Sequence, residues 1–472
     1  MRHTMLSAVM FLLVVTCRVA AAPVESKPDD VAALRAHQGR WLGDLTLPNG
    51  HVIKSGVDIF TRADGSVWAS YASPDRGAYD IPVKRIRSSG DSAELELPFA
   101  LLTLAWSDDH FRGQWHQNES VLPIDFRPVA EFPRRQRPQT PTPPFPYTEQ
   151  TLAIAANGNV TLGATLTLPQ HVRHPNVVVL VHGSGPQTRD EEGDGHRPFA
   201  VLADRLARQG IAVLRYDKRG VARSTGDYAQ HTQQDLADDL SAVVALMRAR
   251  KQFRRVGVIG HSEGPMLAAA VAARQPDAVD FIVSLGGVGL PGIDMMLLQD
   301  RAYAVDQGAR GADLEHLMRF ARQWYTTIVA QPEPGVRVAA LKELGAQLSS
   351  EDRGLVEKYK MNVGTLSLEA AEDPALRDLL ATDPRKDWRA VRCPVLALNG
   401  ALDHQVPPQS LAGIVAALRE GGNATVVSEL LPSINHELQT AKTGAEDEYA
   451  TIDETIAAAV VQRIVAFVAR QR

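Results

Sequence analysis

One serine, Ser262, lies where a β-branched run changes into an alanine-rich run. Residues 256–273 read "VGVIGHSEGPMLAAAVAA", with Gly260 two positions before the serine and Gly264 two positions after it. A tight strand-to-helix corner needs such small neighbours, and it exposes the hydroxyl at a helix N-terminus, where developing negative charge is favoured. The pattern predicts a nucleophilic serine; a structural serine in a turn is the alternative.

A serine hydroxyl is a poor nucleophile at neutral pH, so it needs a base and a group that orients that base. Asp403 follows the apolar run "PVLALNG", and His436 follows "TVVSELLP". Functional side chains collect at the carboxyl ends of parallel strands, and the chain order Ser, Asp, His suits this corner. We therefore predict a catalytic triad of Ser262, Asp403 and His436. Asp403 as a turn cap and His436 as a surface histidine are the alternatives.

Attack on a carbonyl also needs two backbone N–H donors for the oxyanion. The residue after the nucleophile, Glu263, is expected to supply one, and its carboxylate is given no chemical role. The loop "HGSGPQTRD" is expected to supply the other from Ser184 or Gly185, and the sequence leaves that choice open.

Other polar residues near these motifs are predicted to be structural. His182 and His261 are expected to brace loops, and Asp217 in "YDKRG" is expected to tie its own loop by hydrogen bonds. Residues 189–196, "RDEEGDGH", match no metal-ligand spacing, so a solvated loop is favoured over a metal site. We predict no metal and no cofactor.

The second part of the chain has the pattern of an α/β protein. "TLAIAA" and "VTLGATLTLP" predict a β-hairpin. Later apolar runs alternate with helical stretches, which predicts a parallel sheet covered on both faces: "NVVVLVHG", "IAVLRYD", "VGVIGHS", "FIVSLGG", "PVLALNG" and "TVVSELLP". Between Gly286 and Arg392 only helical periodicity is evident, so we predict a helical cap at about 288–390 that acts as a lid.

Residues 30–128 consist of short runs separated by Asn-Gly and Asp-Gly turns, which predicts an antiparallel β-rich accessory domain, either a small barrel or a sandwich. Four tryptophans, at positions 41, 68, 106 and 115, are expected in its core, with an aromatic ligand surface as the alternative. Residues 129–147 are proline-rich and predict a linker. The α/β domain is then expected over 148–472.

Residues 1–22 have the features of a signal peptide: Arg2, an apolar run over 5–16, and alanines at 20–22. They predict an exported protein, periplasmic or secreted. An uncleaved N-terminal anchor and lipidation at Cys17 are the alternatives. Cleavage leaves Cys393 as the one cysteine, so no internal disulfide is expected.

Length and charge limit the class of partner. The chain has 472 residues and a net charge of −5 without a Lys/Arg-rich stretch, which argues against nucleic acid. This length suits two or three domains. We expect a small-molecule ester as substrate and no stable membrane insertion after signal removal; the oligomeric state is left open.

Five motifs together resemble the serine α/β-hydrolases: "HGSGP", "YDKRGVARSTGD", "GHSEG", "GALDHQVP" and "NHEL". The nearest resemblance is to bacterial exported esterases with a Gly-His-Ser-Glu-Gly elbow, several of which carry an N-terminal β-rich domain, and to dienelactone-hydrolase-like and S9/S33 peptidase-like groups. It implies that Ser262 is the nucleophile, His436 the general base and acid, and Asp403 its partner. Pro265 replaces a glycine usual in these esterases, and a first helical turn tolerates proline.

The expected reaction is therefore hydrolysis of carboxylic esters of small to medium acyl chain through an acyl-enzyme on Ser262. A peptidase or a thioesterase would use the same triad on another substrate. A binding protein with a vestigial hydrolase domain is an alternative from a different class.

Overall fold

A computed structural model describes residues 28–361 and 366–471. The predicted signal peptide, residues 1–22, lies outside the described residues. Within these ranges the strands form two sheets, one of nine antiparallel strands and one of eight mostly parallel strands. In the same part of the chain, no helix combines the length and apolarity needed to cross a membrane.

The first sheet has the strand order β4-β3-β2-β1-β9-β8-β7-β6-β5. The strands are β1 (Gly39–Thr46), β2 (Val52–Thr61), β3 (Val67–Ser73), β4 (Ala78–Pro82), β5 (Arg85–Ser89), β6 (Ser92–Glu96), β7 (Leu101–Ser107), β8 (His110–Gln117) and β9 (Ser120–Val129). The predicted β-rich architecture is confirmed. The runs that the sequence pattern predicted did not include β3 or β4. β3 is buried along almost its whole length and lacks the alternation of a half-exposed strand, and β4 is half-buried at every position.

This first sheet curls around a single apolar core. A short 3-10 helix at Pro28–His37 contributes Val31 and Leu34 to that core and contacts both β3 and β5, which belong to opposite halves of the strand order. Trp41 and Trp115 are buried in the same core, and the tryptophans at 68 and 106 pack against it. The prediction that the four tryptophans are core residues is confirmed.

The second sheet has the order β10-β11-β13-β12-β14-β15-β16-β17. Its strands are β10 (Tyr147–Ala155), β11 (Thr161–Pro169), β12 (Val177–Val181), β13 (Ala212–Tyr216), β14 (Val256–His261), β15 (Phe281–Leu285), β16 (Val395–Gly400) and β17 (Val426–Leu431). β10 and β11 form the predicted antiparallel hairpin, and β12 to β17 pair in parallel as predicted.

Helices cover both faces of the second sheet, as its fully buried strands require. One face packs against α1 (Pro198–Ala207) and α13 (Ala458–Ala469). The other face packs against α2 (Gln233–Ala249), α3 (Gly264–Arg274) and α11 (Gln409–Glu420). A short helix, α12 (Glu446–Tyr449), lies in the loop before α13. The predicted α/β class is confirmed.

Helices also fill the chain between β15 and β16, and we call these residues, 292–390, the cap. The described residues of the cap form α4 (Gly292–Asp306), α5 (Gly311–Ala330), α6 (Pro334–Gln347), α7 (Ser350–Lys358), α8 (Leu368–Glu372), α9 (Pro374–Ala381) and α10 (Arg385–Ala390). Most of these helices share an apolar core separate from that of the sheet, in which Leu317, Trp324 and Leu341 are buried. Trp388 of α10 instead packs into the core of the sheet.

The first sheet contacts the loop that follows β13. The Ala63 N–H donates to the Arg223 carbonyl over 2.8 Å, and the Arg223 guanidinium pairs with Asp58 at 3.3 Å. A cavity of about 620 Å³ lies beside this contact. Charged side chains from the first sheet and from loops of the α/β part line the cavity, and several of them are paired with one another, as Arg189 is with Asp217.

A buried carboxyl lies in the cap and makes its stability dependent on pH. Asp300 of α4 is 7% exposed and accepts a hydrogen bond from the Tyr325 hydroxyl of α5 at 2.7 Å. Burial raises the pKa of Asp300 to about 7, although the bond from Tyr325 opposes the shift. In an unfolded chain the pKa of an aspartate is about 3.9. Between these values the folded state binds the extra proton, so stability falls as the pH rises from about 4 to about 7.

We therefore expect Asp300→Asn to be more stable than the wild type at pH 8, by about 1–2 kcal/mol, because the amide carries no charge to bury. At pH 5 the folded wild-type carboxyl is protonated and only the unfolded chain gains from its ionisation, so the advantage of the variant should be clearly smaller than at pH 8. Thermal unfolding of both proteins at the two pH values measures the difference. An equal difference at pH 5 and pH 8 would contradict this view of Asp300.

Candidate active site

The serine corner has the strained geometry that the sequence suggested. Ser262 follows β14 directly and has a φ of +56°, a left-handed conformation that is uncommon for residues other than glycine. A Cβ atom at Gly260 would lie 2.4 Å from the Pro265 nitrogen, and one at Gly264 would lie 2.3 Å from the Val181 carbonyl oxygen. The predicted need for small residues at both positions is confirmed, because packing on both sides of the corner leaves no room for a side chain.

The structure brings the three predicted triad side chains into contact. Ser262, Asp403 and His436 follow β14, β16 and β17, so all three lie at the carboxyl edge of the second sheet. His436 Nε2 is 3.1 Å from Ser262 Oγ, and His436 Nδ1 is 3.0 Å from each carboxylate oxygen of Asp403. His436 and Asp403 are each 2% exposed. The imidazole therefore lies between the hydroxyl and a carboxylate, shielded from water.

Backbone groups hold the Asp403 carboxylate in place. Its Oδ1 accepts the N–H groups of Gln405 at 3.1 Å and Val406 at 2.7 Å. The side chain thus caps a turn, as one interpretation of the sequence had it, and it also contacts His436. The two arrangements are compatible because a carboxylate oxygen accepts more than one hydrogen bond.

The loop after β12 approaches the serine from the other side, and its N–H groups differ in their partners. The Gly183 N–H donates to Glu191 Oε1 at 2.6 Å. Within the described chain, the N–H groups of Ser184, Gly185 and Glu263 have no hydrogen-bond partner. All three predicted oxyanion donors are therefore open to a ligand.

A buried ion pair links the Gly183 carbonyl to the residue after the serine. Lys218 Nζ donates to the Gly183 oxygen at 2.6 Å and to Glu263 Oε2 at 2.9 Å, and Gln233 Nε2 donates to Glu263 Oε1 at 2.7 Å. Burial alone would raise the pKa of Glu263, but Lys218 and Gln233 bring the pKa below its usual value. The sequence gave this carboxylate no role, and its partners were not apparent because Lys218 is 45 positions away.

A second buried ion pair involves the residue before the serine. His261 Nδ1 is 3.2 Å from Glu191 Oε1, and His261 Nε2 is 2.9 Å from the His436 carbonyl oxygen. Burial would lower the pKa of His261, but Glu191 and nearby Glu437 raise it to about 10, while the pKa of Glu191 is lowered. The prediction that His261 braces loops is confirmed, and the imidazole is a cation at neutral pH.

The prediction that residues 189–196 form a solvated loop is wrong. Asp190, Glu191 and His196 are 6%, 7% and 6% exposed. Asp190 pairs with Arg197 and Arg215, and Glu191 Oε1 bonds to His261 and to a backbone N–H. Acidic runs are usually solvated, but here basic side chains distant in sequence neutralise the carboxylates.

The remaining polar residues near the site are structural, as predicted. His182 is fully buried, and its Nε2 lies 2.5 Å from the Tyr216 carbonyl oxygen. Burial lowers the pKa of His182 to about 4. Asp217 accepts hydrogen bonds from Arg189 and from the Arg223 N–H, which ties its loop. Over the residues that the structure describes, no three His, Cys, Asp or Glu side chains are grouped to hold a metal.

Two acidic side chains lie near the triad. Glu437 and Glu446 both interact electrostatically with His436. At the junction with the cap, His404 Nδ1 lies 2.8 Å from Asp306 at the end of α4, and this bond raises the pKa of His404.

An α/β sheet with a serine on a strand-to-helix corner, in contact with histidine and aspartate after later strands, defines a serine α/β-hydrolase. A family model described as serine aminopeptidase, S33, matches residues 173–441, more than half of the chain. The chain belongs to this family.

Individual relatives include esterases. Over 121 residues the chain is 36% identical to esterase EstD of Thermotoga maritima, a match that covers 26% of this chain and 29% of that protein. Among solved structures, Est1E of Butyrivibrio proteoclasticus with bound ferulic acid is 15% identical, covering 68% of this chain and 98% of that one with a TM-score of 0.41. Esterase Pf2001 of Pyrococcus furiosus is 14% identical, covering 69% and 91% with a TM-score of 0.42.

Proposed function

We propose that this protein is a serine hydrolase that cleaves carboxylic esters of small to medium acyl chain through an acyl-enzyme on Ser262. The observation that carries the proposal is the position of the His436 imidazole, 3.1 Å from Ser262 Oγ and 3.0 Å from Asp403. The similarity to an esterase over part of the chain supports an ester as substrate.

In the acylation step, Ser262 Oγ attacks the ester carbonyl carbon while His436 Nε2 accepts the hydroxyl proton. Asp403 keeps the Nδ1–H tautomer of the imidazole and stabilises the imidazolium that forms. The tetrahedral intermediate then collapses, and His436 gives its proton to the departing alcohol oxygen.

In the deacylation step, a water molecule attacks the acyl carbonyl carbon and His436 Nε2 takes one of its protons. When the second tetrahedral intermediate collapses, the proton returns to Ser262 Oγ and the carboxylic acid leaves. The enzyme thus recovers its starting state with no group consumed.

The oxyanion in both steps is proposed to accept hydrogen bonds from the N–H groups of Glu263 and Ser184. Both groups lie beside Ser262 and have no partner in the described residues. Gly185 is the alternative for the second donor, and Ser184 is preferred because Lys218 holds the Gly183 carbonyl and so fixes the peptide that carries the Ser184 N–H.

The cap is proposed to limit the acyl chain. Met295 of α4 packs in a small apolar cluster with Met266, Val288 and Val406, and the Val288 N–H donates to the Ser262 carbonyl at 3.3 Å. The cluster thus joins the cap to the segment that contacts the Ser262 backbone. Removing part of it should make space for longer acyl chains.

We therefore expect Met295→Ala to raise the ratio of kcat/KM for p-nitrophenyl octanoate over butyrate about fivefold, since each buried methylene contributes about 1–3 kcal/mol. Met318→Ala, which removes a methionine from the separate core of the cap, is the matched control and should leave the ratio unchanged. An unchanged ratio in Met295→Ala would place the acyl site elsewhere.

A second candidate function, aminopeptidase, is favoured by the family description and by Glu437 and Glu446 beside His436. An aminopeptidase must bind the α-ammonium group of its substrate, and carboxylates near the triad suit that task. The same Ser262 chemistry would then cleave an amide.

A panel of p-nitrophenyl esters and aminoacyl p-nitroanilides separates the two functions. We expect kcat/KM to be higher for the esters, and Glu446→Gln to leave ester cleavage unchanged. Faster cleavage of the anilides, with a loss in Glu446→Gln restricted to them, would overturn the esterase proposal in favour of the aminopeptidase.

Export is proposed on the sequence of residues 1–22 alone. Expression of the full chain followed by N-terminal sequencing of the mature protein tests it. Cleavage near Ala21 or Ala22 is the expected result, and an intact N-terminus in the cytosol would contradict it.

A further inference from the structure

We infer that the two residues flanking the nucleophile, His261 and Glu263, position the loop that holds the oxyanion. Each forms a buried ion pair, His261 with Glu191 and Glu263 with Lys218. Both partners then bond to the same residue, Gly183. We call Glu191, His261, Lys218 and Glu263 the Gly183 clamp, and its role rests on the proposed function.

The Lys218 side of the clamp acts on the peptide that carries the proposed oxyanion donor. The Gly183 carbonyl and the Ser184 N–H belong to one planar trans peptide, so they point in opposite directions. Lys218 Nζ, 2.6 Å from the Gly183 oxygen, therefore fixes the direction of the Ser184 N–H. A cation on the carbonyl also polarises the peptide, which makes the N–H a stronger donor.

The Glu191 side of the clamp acts on the preceding peptide. Glu191 Oε1 accepts the Gly183 N–H at 2.6 Å, so the peptide planes on both sides of Gly183 are held. A glycine without these bonds is free to change its φ and ψ. The clamp thus removes the freedom that would let the oxyanion donor turn away.

The Glu191–His261 pair also connects the oxyanion loop to the histidine of the triad. His261 Nε2 lies 2.9 Å from the His436 carbonyl oxygen, and the two rings are 4.8 Å apart. A displacement of Glu191 would therefore reach both the oxyanion loop and the loop of the general base. His261 and Glu263, the residues before and after Ser262 in "GHSEG", therefore couple the oxyanion loop to the loop of His436.

Burial and charge support a role beyond stability. The side chains of the four clamp residues are between 3% and 7% exposed. Buried ion pairs are a weak source of stability, because desolvation of two charges offsets their attraction. The pKa of Glu191 and that of Glu263 are lowered and that of His261 is raised, so both pairs stay charged at neutral pH.

The test compares two clamp variants with a matched control. Glu191→Gln removes the charge of one pair, and the double variant Lys218→Met with Glu263→Gln removes both charges of the other without leaving one buried alone. Asp280→Asn is the control. Asp280 also accepts a backbone N–H, from Val256 at 2.7 Å, and pairs with Arg248 at 2.9 Å, but it lies at the opposite edge of the sheet.

We expect kcat for p-nitrophenyl butyrate to fall about 10-fold in Glu191→Gln and about 100-fold in the double variant, because a misplaced oxyanion donor weakens the transition state. KM should change by less than about threefold. The inhibition constant of a trifluoromethyl ketone, which forms the same oxyanion, should rise in parallel. The concentration of active sites is counted by fluorophosphonate titration, so that partial unfolding does not enter kcat.

Asp280→Asn should lower Tm while leaving kcat and the inhibition constant at wild-type values. Clamp variants with wild-type kcat, or with losses no greater than that of Asp280→Asn, would overturn the inference while leaving the esterase proposal intact. A rise in KM with unchanged kcat would also overturn it. A wild type that neither hydrolyses esters nor reacts with the fluorophosphonate would instead refute the proposed function itself.

Discussion

Replacing Ser262 by alanine should reduce ester hydrolysis by at least about 10⁴-fold, because no acyl-enzyme can form without the Oγ nucleophile. The fold should survive, since alanine also fits the corner and, among the described residues, Ser262 Oγ hydrogen-bonds to His436 alone. The rate of p-nitrophenyl butyrate hydrolysis per folded molecule measures the effect.

Ser241→Ala serves as the control for loss of a serine hydroxyl. Ser241 lies on α2, where its hydroxyl accepts a hydrogen bond from Gln275 at 2.9 Å, and its loss should leave the rate unchanged. If Ser262→Ala kept more than a tenth of the wild-type rate, another residue would have to be the nucleophile.

Replacing Asp403 by asparagine should reduce kcat by about 10³- to 10⁴-fold with little change of shape. The carboxylate accepts the Nδ1–H of His436, whereas an amide would favour the tautomer with the proton on Nε2, which cannot accept the proton of Ser262. The amide also leaves the imidazolium of the transition state without its counter-charge. Steady-state kinetics on p-nitrophenyl butyrate give the change.

The matched control is Asp453→Asn, which removes an exposed carboxylate paired with Arg135 at 3.4 Å. It should not change kcat. A loss of less than tenfold in Asp403→Asn would show that His436 is oriented by another group, and Glu437 would be the first to examine, because it also interacts with His436.

Much of the fold was predictable because the signal was local. Each strand from β12 to β17 is an apolar run bounded by turn residues, and five of these six strands are buried at nearly every position, as a sheet covered on both faces requires. The strand β3 shows where such a local pattern fails to predict a strand. It is buried almost throughout but belongs to an antiparallel sheet, so the alternation expected there is absent.

The triad residues could be selected from sequence because chain order and strand ends restrict the choices. Asp403 and His436 each follow an apolar run, and parallel strands end at one edge of the sheet. The choice between Ser184 and Gly185 could not be made, because it depends on how the peptides after Gly183 are oriented, and Lys218, which holds the Gly183 carbonyl, comes from another loop.

The Gly183 clamp could not be predicted for the same reason. Glu191 pairs with His261 at a separation of 70 positions, and nothing in "RDEEGDGH" distinguishes the carboxylate that pairs with the histidine from its neighbours. Ion pairs between distant loops have no periodic signature. The local composition of the run, which suits a solvated loop, gave the wrong prediction.

The most direct measurement of the central claim is mass spectrometry of the protein after reaction with a fluorophosphonate. We expect one adduct per molecule, on the peptide that contains Ser262, formed rapidly in the wild type and at least about 10²-fold more slowly in His436→Ala, because the imidazole activates Oγ. An adduct on any other residue, or equal rates in the two proteins, would contradict the claim that Ser262, His436 and Asp403 act as one nucleophilic unit.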